Sequence, residues 1–295
     1  MNMKNLIYAK KNILFLNIII IFTVIFISCS SDKYFILDNP TKKDLTVHID
    51  GISYKLDPFS FQKLLLKAGK HTLKLSSGEE LNFIIYYNNN GGVINPSLST
   101  YYLWSIVFAS DENKEKETTE SDCLMIDGIE YSGPFIEIKD LIIDNNEYSW
   151  KYEIHQPVPE AEYANDSGNL KNISAKLFTK QEFINFFEMI TDTIGFHEKN
   201  KTETFVKTPK YVKKERSYTI PNSDNPEIKK YLTEIIELDK SYLSAEKAST
   251  QKAITKKFMS TRKKLSSLLK NENKISDEIS KFKLNNIGKG VNIPD

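Results

Sequence analysis

Beyond residue 33, hydrophobic and polar positions alternate. Leu45, Val47 and Ile49 alternate with Thr46, His48 and Asp50, and His71, Leu73 and Leu75 continue the pattern. A period of two marks strands with one buried face. Asp50-Gly51, between the runs 45–49 and 52–56, supplies a tight hairpin turn. Asp38-Asn39-Pro40-Thr41, Asp57-Pro58 and Ala68-Gly69-Lys70 punctuate the remaining runs at 35–37, 61–67 and 81–87. Thr100 to Ala109 is apolar on both faces, which predicts a central strand covered on both sides. Short strands with turn signals at roughly eight- to twelve-residue spacing predict an antiparallel, Ig-like β-sandwich over residues 29–110.

The pattern then changes. Asp111 to Asp122, DENKEKETTESD, contains no apolar residue and reads as a linker. Leu124-Met125-Ile126-Asp127-Gly128-Ile129-Glu130-Tyr131 echoes Val47 to Tyr54, either as a degenerate duplication or as two hairpins converging on one turn. Strands are expected over Ile136–Ile143, Tyr148–Ile154 and Ala175–Phe178. Thr179 and Glu182 form a capping box ahead of a helix carrying Phe183, Phe186, Phe187 and Ile190 on one face. Residues 123–198 therefore read as a smaller α+β region, and 199–223 as a basic connector. In residues 224–272, Ile228, Leu232, Ile235, Ile236, Leu243, Ile254, Phe258, Leu265 and Leu269 recur at helical spacing, giving one long helix or an αα-hairpin with a turn near 249. Residues 273–295 read as a disordered tail. The expected fold class is α+β.

The N-terminus carries a different signal. Lys4, Lys10 and Lys11 precede Ile13 to Ile27, a run in which only Asn17 and Thr23 are polar. As a helix this run spans about 22 Å, short of a bilayer core of about 30 Å. A basic start and a short apolar core read as a signal peptide over residues 1–28. Phe26-Ile27-Ser28-Cys29 resembles the lipobox of bacterial lipoproteins. That resemblance implies cleavage before Cys29, acylation of its thiol, and attachment to a membrane through the N-terminal lipid. Ser30 after the cysteine implies the outer membrane.

The residues between Tyr34 and Leu75 also carry a resemblance. N-P-T, V-H-I-D-G, Y-K-L-D-P and G-K-H-T-L resemble the small sandwich modules of PEGA-type and carboxypeptidase-regulatory-like families. Those families imply an accessory or adhesive module. The PEGA tetrapeptide itself is absent, and Ala68-Gly69-Lys70-His71 stands near its place.

Composition narrows the chemistry. The chain has only two cysteines. With Cys29 acylated, Cys123 has no partner for a disulfide, and its apolar neighbours suggest a buried thiol. No nucleophile elbow, zinc motif, phosphate-binding loop or C-x-x-C occurs, and no cofactor is implied. His48 is expected to face outward and His71 to be a satisfied, partly buried histidine. His155 leaves a strand near Glu160 and Glu162, an arrangement that could tune a general base. Tyr102, Trp104, Tyr148, Trp150 and Tyr152 are expected to be core.

Charge is segregated along the chain. Residues 111–162 contain fifteen acidic and four basic residues, whereas 252–274 contain eight basic and one acidic. The expected function is a lipid-anchored envelope protein that binds or scaffolds. Its partners are an anionic envelope polymer or another envelope protein, and nucleic acid is not among them. The alternative is an envelope hydrolase or glycan-processing enzyme using His155 and nearby carboxylates.

Overall fold

The β pattern folds into stacked sheets. The computed structural model describes residues 34–107, 122–158, 173–202, 209, 211–212, 223–269 and 287–293. Cys29, the apolar run before it and the linker residues 111–121 lie outside the described residues.

The first strand, β1 (Tyr34–Asn39), pairs with β4 (Ser60–Leu65) on one side and β7 (Gly92–Ile94) on the other, and β7 pairs with β12 (Ile142–Asp144). This four-stranded sheet is antiparallel except at β1–β7. A second sheet has the order β14 (Val291–Asn292), β6 (Glu80–Ile85), β5 (Gly69–Lys74), β2 (Leu45–Ile49) and β3 (Ile52–Leu56), all antiparallel. A third contains β11 (Phe135–Ile138), β8 (Tyr101–Val107) and β13 (Ile173–Thr179). A separate hairpin joins β9 (Asp122–Ile126) to β10 (Ile129–Gly133).

Strand alternation determines how the sheets stack. Phe35, Leu37 and Leu64 on one face of the four-stranded sheet pack against Val47, Ile49, Leu73, Phe83 and Ile85 of the five-stranded sheet. On the other face, Ile36, Val93 and Ile143 meet Tyr101, Leu103 and Leu177 of the three-stranded sheet. The far side of that sheet presents Tyr102, Trp104 and Phe178 to Phe183, Ile184 and Phe186 of helix α2 (Lys180–Ile190) and to the β9–β10 hairpin. Strand β8 is thus the central strand its sequence predicts, with Tyr101 and Leu103 on one side and Tyr102 and Trp104 on the other.

The fold is mixed α+β, built from antiparallel strands in several sheets and a C-terminal helix pair. The sheets cross the sequence division at 111–122. Strand β12 joins the sheet of β1, and β11 and β13 flank β8. The C-terminal pattern resolves as a hairpin of α4 (Pro226–Leu243) and α5 (Ala248–Leu269), closed by Ile228, Leu232, Ile235, Leu238, Phe258 and Leu265.

Four sequence expectations need correction. Tyr148–Ile154 is not a strand. Asp144 caps a short helix α1 (Asn145–Tyr148), Ser149 ends it at φ 52°, and only an isolated bridge joins Tyr152 to Lys176. Trp150 and Tyr152 are nevertheless buried. Cys123 is exposed, because Leu124 and Ile126 take the inner face of β9 and leave positions 123 and 125 outside. On α2, Ile184 is buried while Ile190 is 39% exposed. The C-terminal tail is ordered over 287–293. Val291 pairs with Ile85, Tyr86 N–H donates to the Gly290 carbonyl at 2.8 Å, and the Gly290 and Val291 N–H groups donate to Asp144 Oδ2 at 2.7 and 3.2 Å. Those contacts join residues about 150 to 200 positions apart, so no local pattern announces them.

The two Asp-Gly turns adopt one conformation, with Asp50 and Asp127 at φ 52° and 50° and both glycines at φ 80°. Their surroundings differ. A Cβ on Gly51 meets nothing within 4 Å, whereas one on Gly128 would lie 2.1 Å from Thr202 Oγ1. A Pro-Phe pair follows each turn, at 58–59 and 134–135, and there the likeness ends, since Phe59 is 61% exposed and Phe135 is 2% exposed. Gly51→Ala is expected to cost about 1–2 kcal/mol for the left-handed conformation. Gly128→Ala should cost at least about 1 kcal/mol more, as the turn must separate from Thr202. Chemical denaturation of both variants measures the difference, and equal losses would show that the Thr202 contact yields freely.

Candidate functional site

A buried polar cluster forms where β1 meets the start of α2. Asp38 is fully buried at the end of β1. Tyr101 Oη donates to Asp38 Oδ2 at 2.5 Å, and His155 Nε2 lies 2.9 Å from Asp38 Oδ1. The other imidazole nitrogen, Nδ1, sits 3.2 Å from Glu182 Oε1, which also accepts from the His155 backbone N–H at 2.8 Å. Glu182 Oε2 accepts from Thr179 N–H at 2.9 Å and Thr179 Oγ1 at 3.0 Å, closing the predicted capping box. Phe61 stacks on the imidazole, with ring centroids 4.5 Å apart and planes 15° apart. Lys176 lies beside the cluster and donates to the carbonyls of Glu153 and Leu177 at 2.5 and 3.1 Å.

The electrostatics follow from this geometry. Burial works to lower the His155 pKa, but hydrogen bonds to Asp38 and Glu182, and then their charges, outweigh it and raise the value to about 9. Burial works to raise Glu182, but the His155 hydrogen bond, the Lys176 charge and the Thr179 N–H bring it down to about 2. Burial lowers Lys176 to about 8 against the charges of Glu182 and Glu153. Burial first, then the Asp38 charge, pushes the Tyr101 phenol well up. At neutral pH the ring is an imidazolium with both N–H groups on carboxylates. It ties the end of β1 to the first turn of α2.

A second cluster lies under the β9–β10 turn. Lys180 Nζ contacts both Asp127 carboxylate oxygens, at 2.6 and 2.5 Å, and His197 Nε2 lies 3.1 Å from Oδ2. Tyr131 Oη is 2.6 Å from His197 Nδ1. Glu188 receives the N–H groups of Gly195 and His197 at 2.8 and 2.7 Å, which fastens α3 (Phe196–Asn200) to α2. Burial works to raise the Asp127 carboxyl, and Lys180 and His197 hold it below its ordinary value. Tyr131 is only 1% exposed, so the triad of phenol, imidazole and carboxylate is closed to solvent at its phenol end. The Asp50 turn takes a histidine too. His71 bonds Asp50 through Nδ1 and the Lys67 carbonyl through Nε2, both at 2.7 Å, and so is satisfied as expected.

Sequence reasoning singled out His155 but paired it with Glu160 and Glu162, which lie outside the described residues. By sequence alone Asp38 reads as part of a turn and Glu182 as part of a helix cap. Lys176, a lone cation in the apolar strand ISAKLFT, was the one local signal for a buried polar network at this position. Among the described residues no group of three or more His, Cys, Asp or Glu side chains could hold a metal, and no helix is long and apolar enough to cross a membrane.

The other candidate is the surface of α5. Ala248–Leu269 contains no acidic residue, and Lys252, Lys256, Lys257, Arg262, Lys263 and Lys264 are all exposed. At about 100° per residue, Lys252, Lys256 and Lys263 fall within about 40° of one another, on the side away from buried Phe258, Thr261 and Leu265. Lys257 pairs with Glu234 of α4 at 3.1 Å. The turn of the helix hairpin is fastened to the end of β6. Tyr86 packs on Tyr242 with centroids 4.5 Å apart, Tyr86 Oη donates to the Leu243 carbonyl at 3.1 Å, and Tyr87 N–H donates to Gln251 Oε1 at 3.0 Å.

No protein-family model matches this chain, and neither does any curated protein sequence.

Proposed function

We propose that this chain is a lipid-anchored cell-envelope protein that binds an anionic surface and does no catalysis. The observation that carries this reading is the row of exposed cations on α5, a helix without acidic residues. Its apolar side is used against α4 and the row faces outward, with the Lys252 ammonium 5.3 Å from the centre of the Tyr87 ring. The turn contacts at Tyr86, Tyr87 and Gln251 hold that row in a defined place. Acylation at Cys29, proposed from the lipobox, would keep the protein at an envelope membrane. The anionic groups there are lipid headgroups and charged wall polymer. The PEGA-type resemblance of residues 34–75, with its accessory role, is consistent with this. So is the placing of β1 and β4 in one sheet and β2, β3 and β5 in the sheet facing it.

The hydrolase alternative needs His155 as a base. A ring whose two nitrogens both lie on carboxylates, and whose pKa is raised to about 9, has no lone pair to accept a proton at neutral pH.

Lysines near an anionic surface contribute about 1 kcal/mol each, so replacing three by glutamine is expected to weaken binding on the order of 100-fold. The variant is Lys252→Gln/Lys256→Gln/Lys263→Gln, compared with its parent in the unacylated Cys29→Ser protein so that the lipid does not mask the contact, and the measurement is cosedimentation with phosphatidylglycerol-rich liposomes and with purified cell wall across a salt series. Wild-type binding should fall with salt. Equal binding by both proteins at every salt concentration would remove α5 as the contact face.

A further inference from the structure

We infer that the end of the four-stranded sheet formed by Tyr34 and Leu65 rests on the lipid surface to which Cys29 is attached, and so sets how the domain is oriented there. This rests on acylation of Cys29. Tyr34 follows Cys29 by five residues, and at about 3.6 Å per residue the chain reaches at most about 18 Å whatever its conformation. The start of β1 is therefore the part of the described fold joined to the anchoring residue by the shortest length of chain.

That end is apolar where it is exposed. Tyr34 stands directly opposite Leu65 in the β1–β4 register, and the two are 55% and 48% exposed. Strand β4 is the outer strand of its sheet. Further along the same face, Ile36 opposes Lys63 and Asp38 opposes Phe61. Ile36 and Asp38 are buried, while Phe61 is 43% exposed over His155. Lys63, whose ammonium pairs with Glu153 at 3.0 Å, and Lys67, both exposed, flank Leu65. Scattered apolar side chains on a surface are ordinary. A cross-strand Tyr–Leu pair beside the anchoring residue, with lysines on either side, matches the composition of a membrane interface. There tyrosine sits at headgroup level and lysine stems lie along the apolar layer with their charges in water. The acyl chains supply the holding and the pair supplies the orientation.

The experiment uses the full-length acylated protein with Cys123→Ser, carrying a single added cysteine at Leu65→Cys labelled with an environment-sensitive nitrobenzoxadiazole dye. The control is Ser77→Cys, in the β5–β6 turn. That turn lies at the far end of β5, whose first residue, Gly69, follows Leu65 by four. Both proteins are reconstituted into phosphatidylcholine–phosphatidylglycerol vesicles with and without brominated acyl chains. The dye at 65 should shift to the blue and lose at least half its emission to the bromolipid, and the dye at 77 should do neither. An acylated protein in which both dyes behave as in water would overturn this inference and leave the anchor reading intact. Mass spectrometry of the same preparation showing an unmodified Cys29 would overturn the anchor reading and the inference with it. A blue shift in the soluble Cys29→Ser chain that grows with protein concentration would make a second copy the occupant, which also overturns it.

Discussion

Replacing Asp38 by alanine is expected to destabilise the protein by about 3–5 kcal/mol, the range for breaking a buried ionic contact from one side. The substitution leaves the Tyr101 phenol and the His155 imidazolium without their shared acceptor, both next to a residue with no solvent exposure. Asp38→Asn preserves shape and one acceptor, and should lose less. The same cluster predicts a pH profile. The His155 pKa rises from its ordinary 6.5 to about 9, so its contribution is complete below about 6.5 and is lost as pH rises through about 9. Glu182 falls from its ordinary 4.5 to about 2, so its contribution is complete above about 4.5 and is lost as pH falls through about 2. The cluster therefore contributes most between about pH 4.5 and 6.5. The His155 shift corresponds to roughly 3 kcal/mol, and solvent screening of its partly exposed ring reduces the expected alkaline loss to roughly 1–2 kcal/mol. In urea unfolding from pH 5 to 10 the stability difference between wild type and His155→Gln should shrink by that amount, while the lowered Lys176 pKa raises the stability of both proteins above about pH 8. An NMR titration should place the His155 midpoint well above neutrality and return it toward 6.5 in Asp38→Asn. A midpoint near 6.5 in wild type would show that the carboxylates do not hold the ring as described.

Phe183→Ala should have an effect of similar size. Phe183 has no solvent exposure, and its ring centroid lies 4.8 Å from Tyr102, 4.8 Å from Phe135 and 5.6 Å from Tyr131. It joins the three-stranded sheet, the β9–β10 hairpin and α2 through one side chain. Truncating a buried phenylalanine costs about 3–5 kcal/mol, from lost transfer free energy and from the cavity left behind. Phe183→Leu should recover most of that, since it leaves a smaller void. The denaturation midpoint should fall in proportion, with the slope unchanged. A loss below about 1 kcal/mol would mean that the aromatic layer closes over the cavity, and that α2 is held mainly by its capping box.

What the sequence determined by itself is local. Alternation placed Leu45, Val47 and Ile49 inward, Asp-Gly produced two left-handed hairpin turns, and Thr179 with Glu182 began α2, because each of these depends on residues within a few positions of one another. The two-faced apolar run from Thr100 to Ala109 even announced a strand between two layers, which Tyr101–Val107 forms. Tertiary structure decided which strands share a sheet. Loop length does not determine pairing across the linker, so β12 joining β7 and β13 joining β8 carry no local mark. The last strand follows the same rule. Val291 and Asn292 are too short a run to signal order, and they become a strand because Asp144 accepts two of that segment's N–H groups and β6 offers an open edge. His155 shows the division most clearly. Its sequence neighbours suggested a base poised in an acidic loop. The fold instead brought Asp38 from β1 and Glu182 from α2 to its two nitrogens, and that contact makes the ring a cation.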